Sequence, residues 1–359
     1  MKRVLLPFII IAMLSVNVIH ALEIEQVGVY NFGVAYDVVV KDDIAYLAGN
    51  DGVDIFDITD KTGPIKLTRI TNAPYGALGL YITENTLFIS ATSNGLMIVD
   101  VSDPASPETL STVSGIEGID VYVNQDYAYV AGGTSFSVVD VSDPASPEIV
   151  ATLQGNERVY KIHAVENTLY VGEVNQGLLV YDINDPTEPM YIRTVSGTTG
   201  IFDIDSQADT LYLGCHGNGV KILDITDRQN PELVGSYNNG GEAYGICIVN
   251  SLLMVADLQQ GIELLDVSNP RSPTLAARWT TTHPHEIAGD TEYVYLADQD
   301  DGLKIFIYGE DVEPVEIIEP ENEPEQEEEN NIPIYTWHII IALMASITLL
   351  KKHTHQRIP

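Results

Sequence analysis

The sequence LMIVDVSDPASP, at residues 96–107, recurs in close copies along most of this chain. Each copy is an apolar run closed by an aspartate and followed by a short polar segment that ends in proline. The closing aspartates are separated by 40 to 43 residues. A fixed period of this length predicts one structural unit per copy. The other copies are VDIFDITDKTGP (53–64), FSVVDVSDPASP (136–147), LLVYDINDPTEP (178–189), VKILDITDRQNP (220–231) and IELLDVSNPRSP (262–273).

Each unit predicts four short β-strands. In the unit that contains Asp224, we expect strands at 202–205, 210–214, 220–225 and 232–237. These runs are rich in β-branched and aromatic residues and are bounded by Gly, Asn, Asp and Pro, as is typical of strands. The Asp-Pro and Ser-Pro steps mark the turn between the third and fourth strands, because proline fixes φ and lacks a backbone donor. The repeated region has no amphipathic stretch of helical length.

A four-stranded unit of this period is the blade of a β-propeller. The seventh copy begins with LKIFIYG (303–309) and lacks a fourth strand, while LEIEQVGVY (22–30) precedes the first unit and aligns with the fourth-strand sequence LVGSYNNG (233–240). The sequence therefore predicts an all-β fold, a seven-bladed β-propeller over residues 22–309. Its ring would be closed by the N-terminal strand, which leaves no edge strand open. An open β-solenoid is the alternative, although it would not need this split unit.

The repeated sequence also resembles a known family. Its six copies of D-[VI]-[STN]-[DN]-x-x-x-P are similar to the LVIVD-repeat family of propellers, which occur in exported bacterial and archaeal proteins. The resemblance covers nearly all of the repeated region and implies the propeller fold. It implies no catalytic motif, so function has to be inferred from the site itself.

The two ends of the chain predict export and anchoring. Residues 1–21 have a basic start, an apolar stretch and Ala21, which is typical of a signal peptide, although an uncleaved anchor is the alternative. Residues 310–331 form an acidic, proline-containing segment that we expect to be a disordered stalk, or else a partner-binding tail. Residues 332–350 carry no charge and predict a transmembrane helix rather than a buried core helix. The basic residues in 351–359 predict a cytoplasmic tail.

The charge of the repeated region limits the classes of partner. Residues 22–309 carry 41 Asp and Glu against 12 Lys and Arg, a net charge of −29. This excess argues against nucleic-acid binding, which requires a basic surface. It suits a soluble surface that attracts cations or basic partners, and it also suits a salt-adapted host. Cys215 and Cys247 could pair, but two cysteines do not make a disulfide framework.

Alignment of the units predicts which residues meet at one mouth of the central channel. The positions at the start of each first strand are Asp37, Gly79, Asp120, Lys161, Asp203, Gly245 and Glu286. The residues immediately before them are largely aromatic, namely Tyr36, Leu78, Ile119, Tyr160, Phe202, Tyr244 and His285. Loops expected on the same face add Asp51, Glu173, His216, Asp257, Asp298, Asp300 and Asp301.

This mouth is the candidate ligand site. Its aromatic residues suit a basic or sugar-like ligand, while Asp37, Asp120, Asp203 and Glu286 supply the oxygen ligands that Ca²⁺ prefers, and Lys161 is a further candidate residue at the mouth. The alternative is that these acids are solvated or accept hydrogen bonds from backbone amides. His283, His285 and Glu286 form an H-x-H-E cluster that could instead hold a transition metal.

Motifs of enzymes are missing from the sequence. It has no G-x-S-x-G elbow, phosphate-binding loop, H-E-x-x-H motif or dinucleotide fingerprint. We therefore expect a non-enzymatic binding, adhesion or interaction scaffold with its propeller outside the cell on a single membrane span. Its partner would be an extracellular protein or glycan. The alternative is a glycan-acting hydrolase or lyase that uses the acidic rim, and a purely architectural role is a third reading.

Overall fold

A computed structural model describes residues 22–31, 33–71, 76–310 and 312 of the chain. All the regular structure in these residues is β: twenty-eight strands form seven four-stranded antiparallel sheets. Each sheet is one blade, and each of the first six takes its strands consecutively from the sequence. The predicted seven-bladed propeller is confirmed.

The strand bounds follow the repeat closely, and in the unit around Asp224 the observed strands differ from the predicted ones by two residues at most. Blades 1 to 3 are β2–β5 (Ala35–Lys41, Ile44–Gly49, Gly52–Asp57, Ile65–Ile70), β6–β9 (Gly79–Thr83, Thr86–Ser90, Leu96–Asp100, Glu108–Val113) and β10–β13 (Asp120–Asn124, Tyr127–Gly132, Ser135–Asp140, Glu148–Gln154). Blades 4 to 6 are β14–β17 (Val159–Val165, Thr168–Glu173, Gly177–Asp182, Met190–Val195), β18–β21 (Asp203–Gln207, Thr210–Gly214, Val220–Asp224, Glu232–Tyr237) and β22–β25 (Ala243–Val249, Leu252–Asp257, Gly261–Asp266, Thr274–Trp279). Blade 7 is β26–β28 (Pro284–Gly289, Tyr293–Asp298, Gly302–Gly309) together with β1 (Glu23–Tyr30).

The N-terminal strand closes the ring, as the split unit predicts. β1 pairs antiparallel with β28 and becomes the outermost strand of blade 7. Its side chains reach both neighbouring interfaces. Ile24 packs into the apolar cluster between blades 6 and 7, and Val27 packs into the cluster between blades 7 and 1. β1 therefore packs at both interfaces of blade 7, with blade 6 on one side and with blade 1 on the other.

The repeated Asp-x-x-Asp-Pro segment is turn chemistry. The aspartate that ends each third strand accepts a hydrogen bond from the amide two residues later, at 2.8–3.0 Å in all six complete copies. The acid or amide three positions further on repeats the arrangement, as Asp60 does with the amide of Thr62 at 3.0 Å. These are Asx turns, which hold the third-to-fourth strand connection in one shape. They account for the most frequent acidic positions of the chain without any ligand.

Some predictions concern residues outside the described ranges. The predicted signal peptide (1–21), most of the acidic stalk (310–331), the transmembrane helix (332–350) and the basic tail (351–359) belong to this group. Within the residues that the structure describes, no helix is long and apolar enough to cross a membrane.

Candidate functional site at the channel mouth

The first strand of every blade is the innermost, and these strands bring the seven predicted mouth positions together in the central channel. We call these seven residues, one from each blade between Asp37 and Glu286, the ring. Lys161 lies at the centre of the group. Its Nζ is 2.9 Å from Asp203, 3.5 Å from Asp120 and 3.7 Å from Glu286. These contacts join blades 3, 4, 5 and 7 through one ammonium group. The fourth acid, Asp37, also acts electrostatically on Lys161.

Three of the ring acids tie one blade to the next. The Oδ2 atoms of Asp37, Asp120 and Asp203 accept hydrogen bonds from the backbone amides of Leu80, Ile162 and Ile246, at 2.6, 2.9 and 2.6 Å. Each accepting acid lies on an odd-numbered blade, and its amide donor lies on the following even-numbered blade. Acids therefore occupy blades 1, 3 and 5, while blades 2, 4 and 6 carry glycine, lysine and glycine. The sequence shows this alternation, but its meaning appears only once the blades are neighbours.

Glycine is required at two ring positions because the next blade comes too close for a side chain. A Cβ on Gly79 would lie 2.8 Å from the carbonyl oxygen of Ile119. A Cβ on Gly245 would lie 2.7 Å from the carbonyl oxygen of His285 and equally close to Glu286 Oε1. Real Cβ atoms essentially never approach this closely. The channel is thus packed at these two blades by backbone instead of side chains.

Burial dominates the electrostatics of the ring. It raises the pKa of Asp37 to about 7, against the opposing effect of Lys161, and it raises the pKa of Asp120 as well. Burial and then the charge of Asp203 raise the pKa of Glu286 well above its usual value. Burial alone would lower the pKa of Lys161, but the surrounding carboxylates outweigh it and raise that pKa strongly. Lys161 is therefore a fixed cation among more acids than it can neutralise.

The aromatic residues that precede the ring form a continuous surface above it. We call Tyr160, Phe202, Tyr244, His285 and Tyr36, from blades 4, 5, 6, 7 and 1, the aromatic arc. The centroids of successive aromatic side chains in this order are 4.5, 4.5, 4.5 and 5.7 Å apart. All five side chains are partly exposed, whereas Asp37, Asp120 and Asp203 are only 3–6% exposed. The predicted funnel of acids is therefore an aromatic surface with the acids beneath it.

Four of the arc residues owe their position to β-bulges. Tyr36, for example, is the extra residue between Ala35, which pairs with Gly49, and Asp37, which pairs with Ala48. Tyr160, Tyr244 and His285 are the extra residues of the same irregularity in blades 4, 6 and 7. A bulge re-aims a side chain at the end of a strand and is common beside functional sites.

Hydrogen bonds hold the arc in place. The hydroxyl groups of Tyr160 and Tyr244 lie 2.9 Å apart and link blades 4 and 6 above Phe202 of blade 5. His285 Nδ1 lies 2.6 Å from the carbonyl oxygen of Tyr36 and connects blade 7 to blade 1. The hydroxyl of Tyr36 donates to Asn50 at 2.9 Å. The arc is a preorganised surface and not a set of independent side chains.

A second layer of channel residues lies one step deeper and was not predicted. It comprises Tyr81, Tyr122, His163, Asp205 and Cys247, each two residues after a ring position. Burial raises the pKa of Asp205 to about 7 and lowers the pKa of His163 to about 4. Asp205 Oδ2 accepts a hydrogen bond from the amide of Ile248 at 2.8 Å, which repeats the tie from blade 5 to blade 6. The period-two alternation of a strand is the signal that would have found this layer.

The loop acids predicted on the mouth face are taken up by local contacts. Asp257 accepts the amides of Gln259 and Gln260, and Asp298 accepts those of Asp300 and Asp301, so both cap the turn between the second and third strands. Both side chains are buried. The remaining pairs are Glu173 with the amide of Asn156, Asp51 with Arg69, His216 with Glu242, and Asp301 with Lys304.

The metal hypotheses gain no support from this geometry. His283 Nδ1 lies 2.5 Å from Asp300, His285 contacts Tyr36 and Glu286 joins the buried ring, so the H-x-H-E residues do not converge. Over the described ranges no group of three or more His, Cys, Asp or Glu is arranged to hold a metal ion. In the ring, the Lys161 ammonium lies among three of the acids that were predicted to bind Ca²⁺, where the metal ion would have been expected. Cys215 and Cys247 are both free thiols.

Comparison with solved structures defines the class of protein. The WD40 β-propeller domain of Doa1 superposes with a TM-score of 0.66 at 14% identity, covering 79% of this chain and 96% of that one. The computationally designed Ika8 protein gives 0.60 at 10% identity, covering 79% and 99%. At such low identity the similarity shows the fold alone. The chain is a β-propeller repeat protein, a class that commonly serves as a scaffold for protein interactions.

The sequence repeats then identify the family. The model of the LVIVD repeat matches six segments of the chain, at residues 32–71, 77–114, 118–154, 158–196, 209–239 and 240–281. Together they cover more than half of its length, and the protein belongs to the LVIVD-repeat family. No curated protein matches the sequence.

Proposed function

We propose that this protein is a non-enzymatic, cell-surface interaction scaffold that docks a partner protein on the mouth face of its propeller. The aromatic arc is the observation that carries this proposal. Partly exposed aromatic side chains, fixed by packing and hydrogen bonds, supply large contact area with little entropy lost on binding. Their position on one face of a closed ring gives the partner a defined place.

The buried position of the ring acids favours a structural role for them over a hydrolytic one. A pair of catalytic carboxylates has to reach its substrate, whereas Asp37, Asp120 and Asp203 lie beneath the arc and already accept backbone hydrogen bonds. The arc therefore presents the chemistry of a binding surface. A glycan remains the competing ligand, because sugar rings also stack on aromatic faces.

The proposed location rests on the two ends of the sequence. An apolar stretch after Lys2 and Arg3 is typical of an export signal, and Lys351 and Lys352 after the uncharged segment 332–350 predict a C-terminus on the cytoplasmic side. The propeller would then stand outside the cell on the acidic segment 310–331. A protease specific for glutamate, added to intact cells, should release the propeller into the medium. Release only after lysis would contradict this location.

Site-specific photocrosslinking tests the docking face. A photoreactive phenylalanine analogue at His216, whose side chain contacts Phe202 and Tyr244, should give a discrete adduct on intact cells. The same analogue at the exposed Gln125, in the β10–β11 turn on the opposite face, is the control and should give none. The His216 adduct should disappear in the Tyr244→Leu variant. Equal adducts from both positions, or an adduct that is insensitive to Tyr244, would refute a mouth-face docking site.

A further inference from the structure

The aromatic arc lies over a buried group in which carboxyl groups outnumber ammonium groups. Its members directly precede the ring residues, so the ring lies one step below it in the channel. The ring holds four carboxylates and one ammonium group, and Asp205 adds another carboxylate one layer deeper. Within the part of the chain that the structure describes, Lys161 is the cation that acts on each of these acids whose pKa is shifted. The surface is thus apolar and polarisable, with more carboxyl groups than ammonium groups under it, and burial favours the protonated form of several of these acids.

We infer that the aromatic arc binds a lysine or arginine side chain presented by the partner protein. This inference rests on the proposed docking face and names its ligand. A cation over the face of a Tyr or Phe side chain is attracted by the ring quadrupole, and the attraction grows as water is excluded. The ring acids add a direct Coulombic attraction in a poorly solvated channel. An acidic or neutral side chain gains neither effect.

Charge complementarity over the whole propeller favours the same partner. Residues 22–309 carry a net charge of −29, so a basic segment is drawn toward this protein from a distance. The arc already has one guanidinium at its edge. Arg158 is exposed, and its charge acts on the hydroxyl groups of both Tyr160 and Tyr244. An incoming cation would therefore meet Arg158 at the edge of the arc as a like charge.

Binding of a cation should be coupled to loss of a proton. The charges of Lys161, Asp120 and Asp203, on blades 4, 3 and 5, act on Asp37 of blade 1. Asp37 in turn acts on Glu286 of blade 7. It directly follows Tyr36, whose side chain contacts His285. A positive charge above the ring stabilises the ionised form of these acids. Because burial raises the pKa of Asp37 to about 7, affinity should rise by up to about tenfold between pH 6 and pH 8.

Peptide titration with the full-length chain tests the inference. The probes are acetyl-Gly-Arg-Gly-amide and the same peptide with citrulline, which keeps the shape of arginine but lacks its charge. Calorimetry should show the arginine peptide binding at least about tenfold more tightly. Its observed binding enthalpy should vary with the ionisation enthalpy of the buffer, because protons are released on binding. Tyr244→Leu should weaken binding at least about tenfold. Tyr191→Leu, at an exposed tyrosine on the outer strand of blade 4, should leave it unchanged.

The outcomes separate this inference from the proposed function. Equal affinity for arginine and citrulline peptides, or no arginine binding at millimolar concentration, overturns the inference, and neither measurement depends on a variant that has to fold. If the His216 crosslink persists while the peptides fail, the docking face stands and only the ligand class is wrong. Displacement of the crosslinked partner by a neutral oligosaccharide would instead assign the arc to glycans.

Discussion

Closure of the ring by β1 is the feature on which the whole fold depends, and Ile24 offers the sharpest test of it. Ile24 is 7% exposed and packs against Met254, Leu296 and Phe306 in the cluster between blades 6 and 7. Truncation of a buried isoleucine to alanine costs about 2–5 kcal/mol, through lost burial and the cavity left behind. The Ile24→Ala variant should therefore lose a large share of the roughly 5–15 kcal/mol that stabilises a typical domain.

Deletion of residues 22–30 extends the same test. Ile24, Val27 and Val29 are all nearly fully buried, and burial of each such side chain contributes about 1.5–3 kcal/mol. Their combined loss, with the ladder to β28, should leave the propeller unstable or open at blade 7. Deletion also exposes the edge of β28, so the variant should associate more readily.

Tryptophan fluorescence during urea denaturation provides the assay. The Trp279 ring lies 5.9 Å from Phe306 of β28, so its emission reports on the interface that β1 completes. A Trp337→Phe background removes the other tryptophan of the chain. Glu23→Ala, at the exposed start of β1, is the matched control and should leave the urea midpoint unchanged. If the deletion variant unfolds at the same midpoint with unchanged Trp279 emission, closure by β1 is refuted.

Three further perturbations probe the packing between blades and the buried charges of the channel. Gly235→Ala places a Cβ against the carbonyl oxygen of Pro270 in the next blade and should cost about 1–3 kcal/mol in urea denaturation, whereas Gly217→Ala, with nothing within 4 Å, should cost little. Lys161→Met leaves three carboxylates without their shared cation and should lower the free energy of unfolding by about 3–5 kcal/mol at pH 8. The control is Lys41→Met, at the far end of a first strand. An equal loss of stability in both variants would contradict the role of Lys161. Asp205 has a folded pKa of about 7 against 3.8 for the free group, so the cost of its ionisation is absent below about pH 4 and complete above about pH 7. The contribution of Asp205 to stability should therefore fall by roughly 4 kcal/mol as pH rises through this window, in addition to that of Asp37, and Asp205→Asn should make the fall in urea midpoint smaller. A wild-type urea midpoint that rises from pH 5 to pH 8 would be the opposite sign.

The fold could be predicted because the repeat carries it. Asp57, Asp100 and their counterparts mark the same turn in every unit, and their spacing sets the length of a blade. Closure could be predicted too, because the last unit is short by the one strand that residues 22–30 supply. Both inferences need only the period and the count of strands, which are local properties of the chain.

The depth of the acids could not be predicted in the same way. Alignment places Asp203 in a ring, but whether its carboxylate is solvated depends on Phe202 and Tyr244, which belong to different blades. The aromatic arc likewise depends on bulges, and a bulge at Tyr36 is visible only in the pairing of Ala35 and Asp37 with β3. Burial and register are properties of the closed ring, so they follow from tertiary contacts and not from the repeat.

The alternation of acid and non-acid around the channel has a consequence of parity. Seven is odd, so a pattern that alternates from blade to blade has to fail once, and it fails where Glu286 of blade 7 stands beside Asp37 of blade 1. That junction is also the seam where the chain begins and ends its circle. Two acids thus meet beside the blade that β1 completes, and alkaline conditions, which ionise both, should strain this junction before any other. A six-bladed relative without the last unit would alternate around its whole circumference and would have no such weak seam.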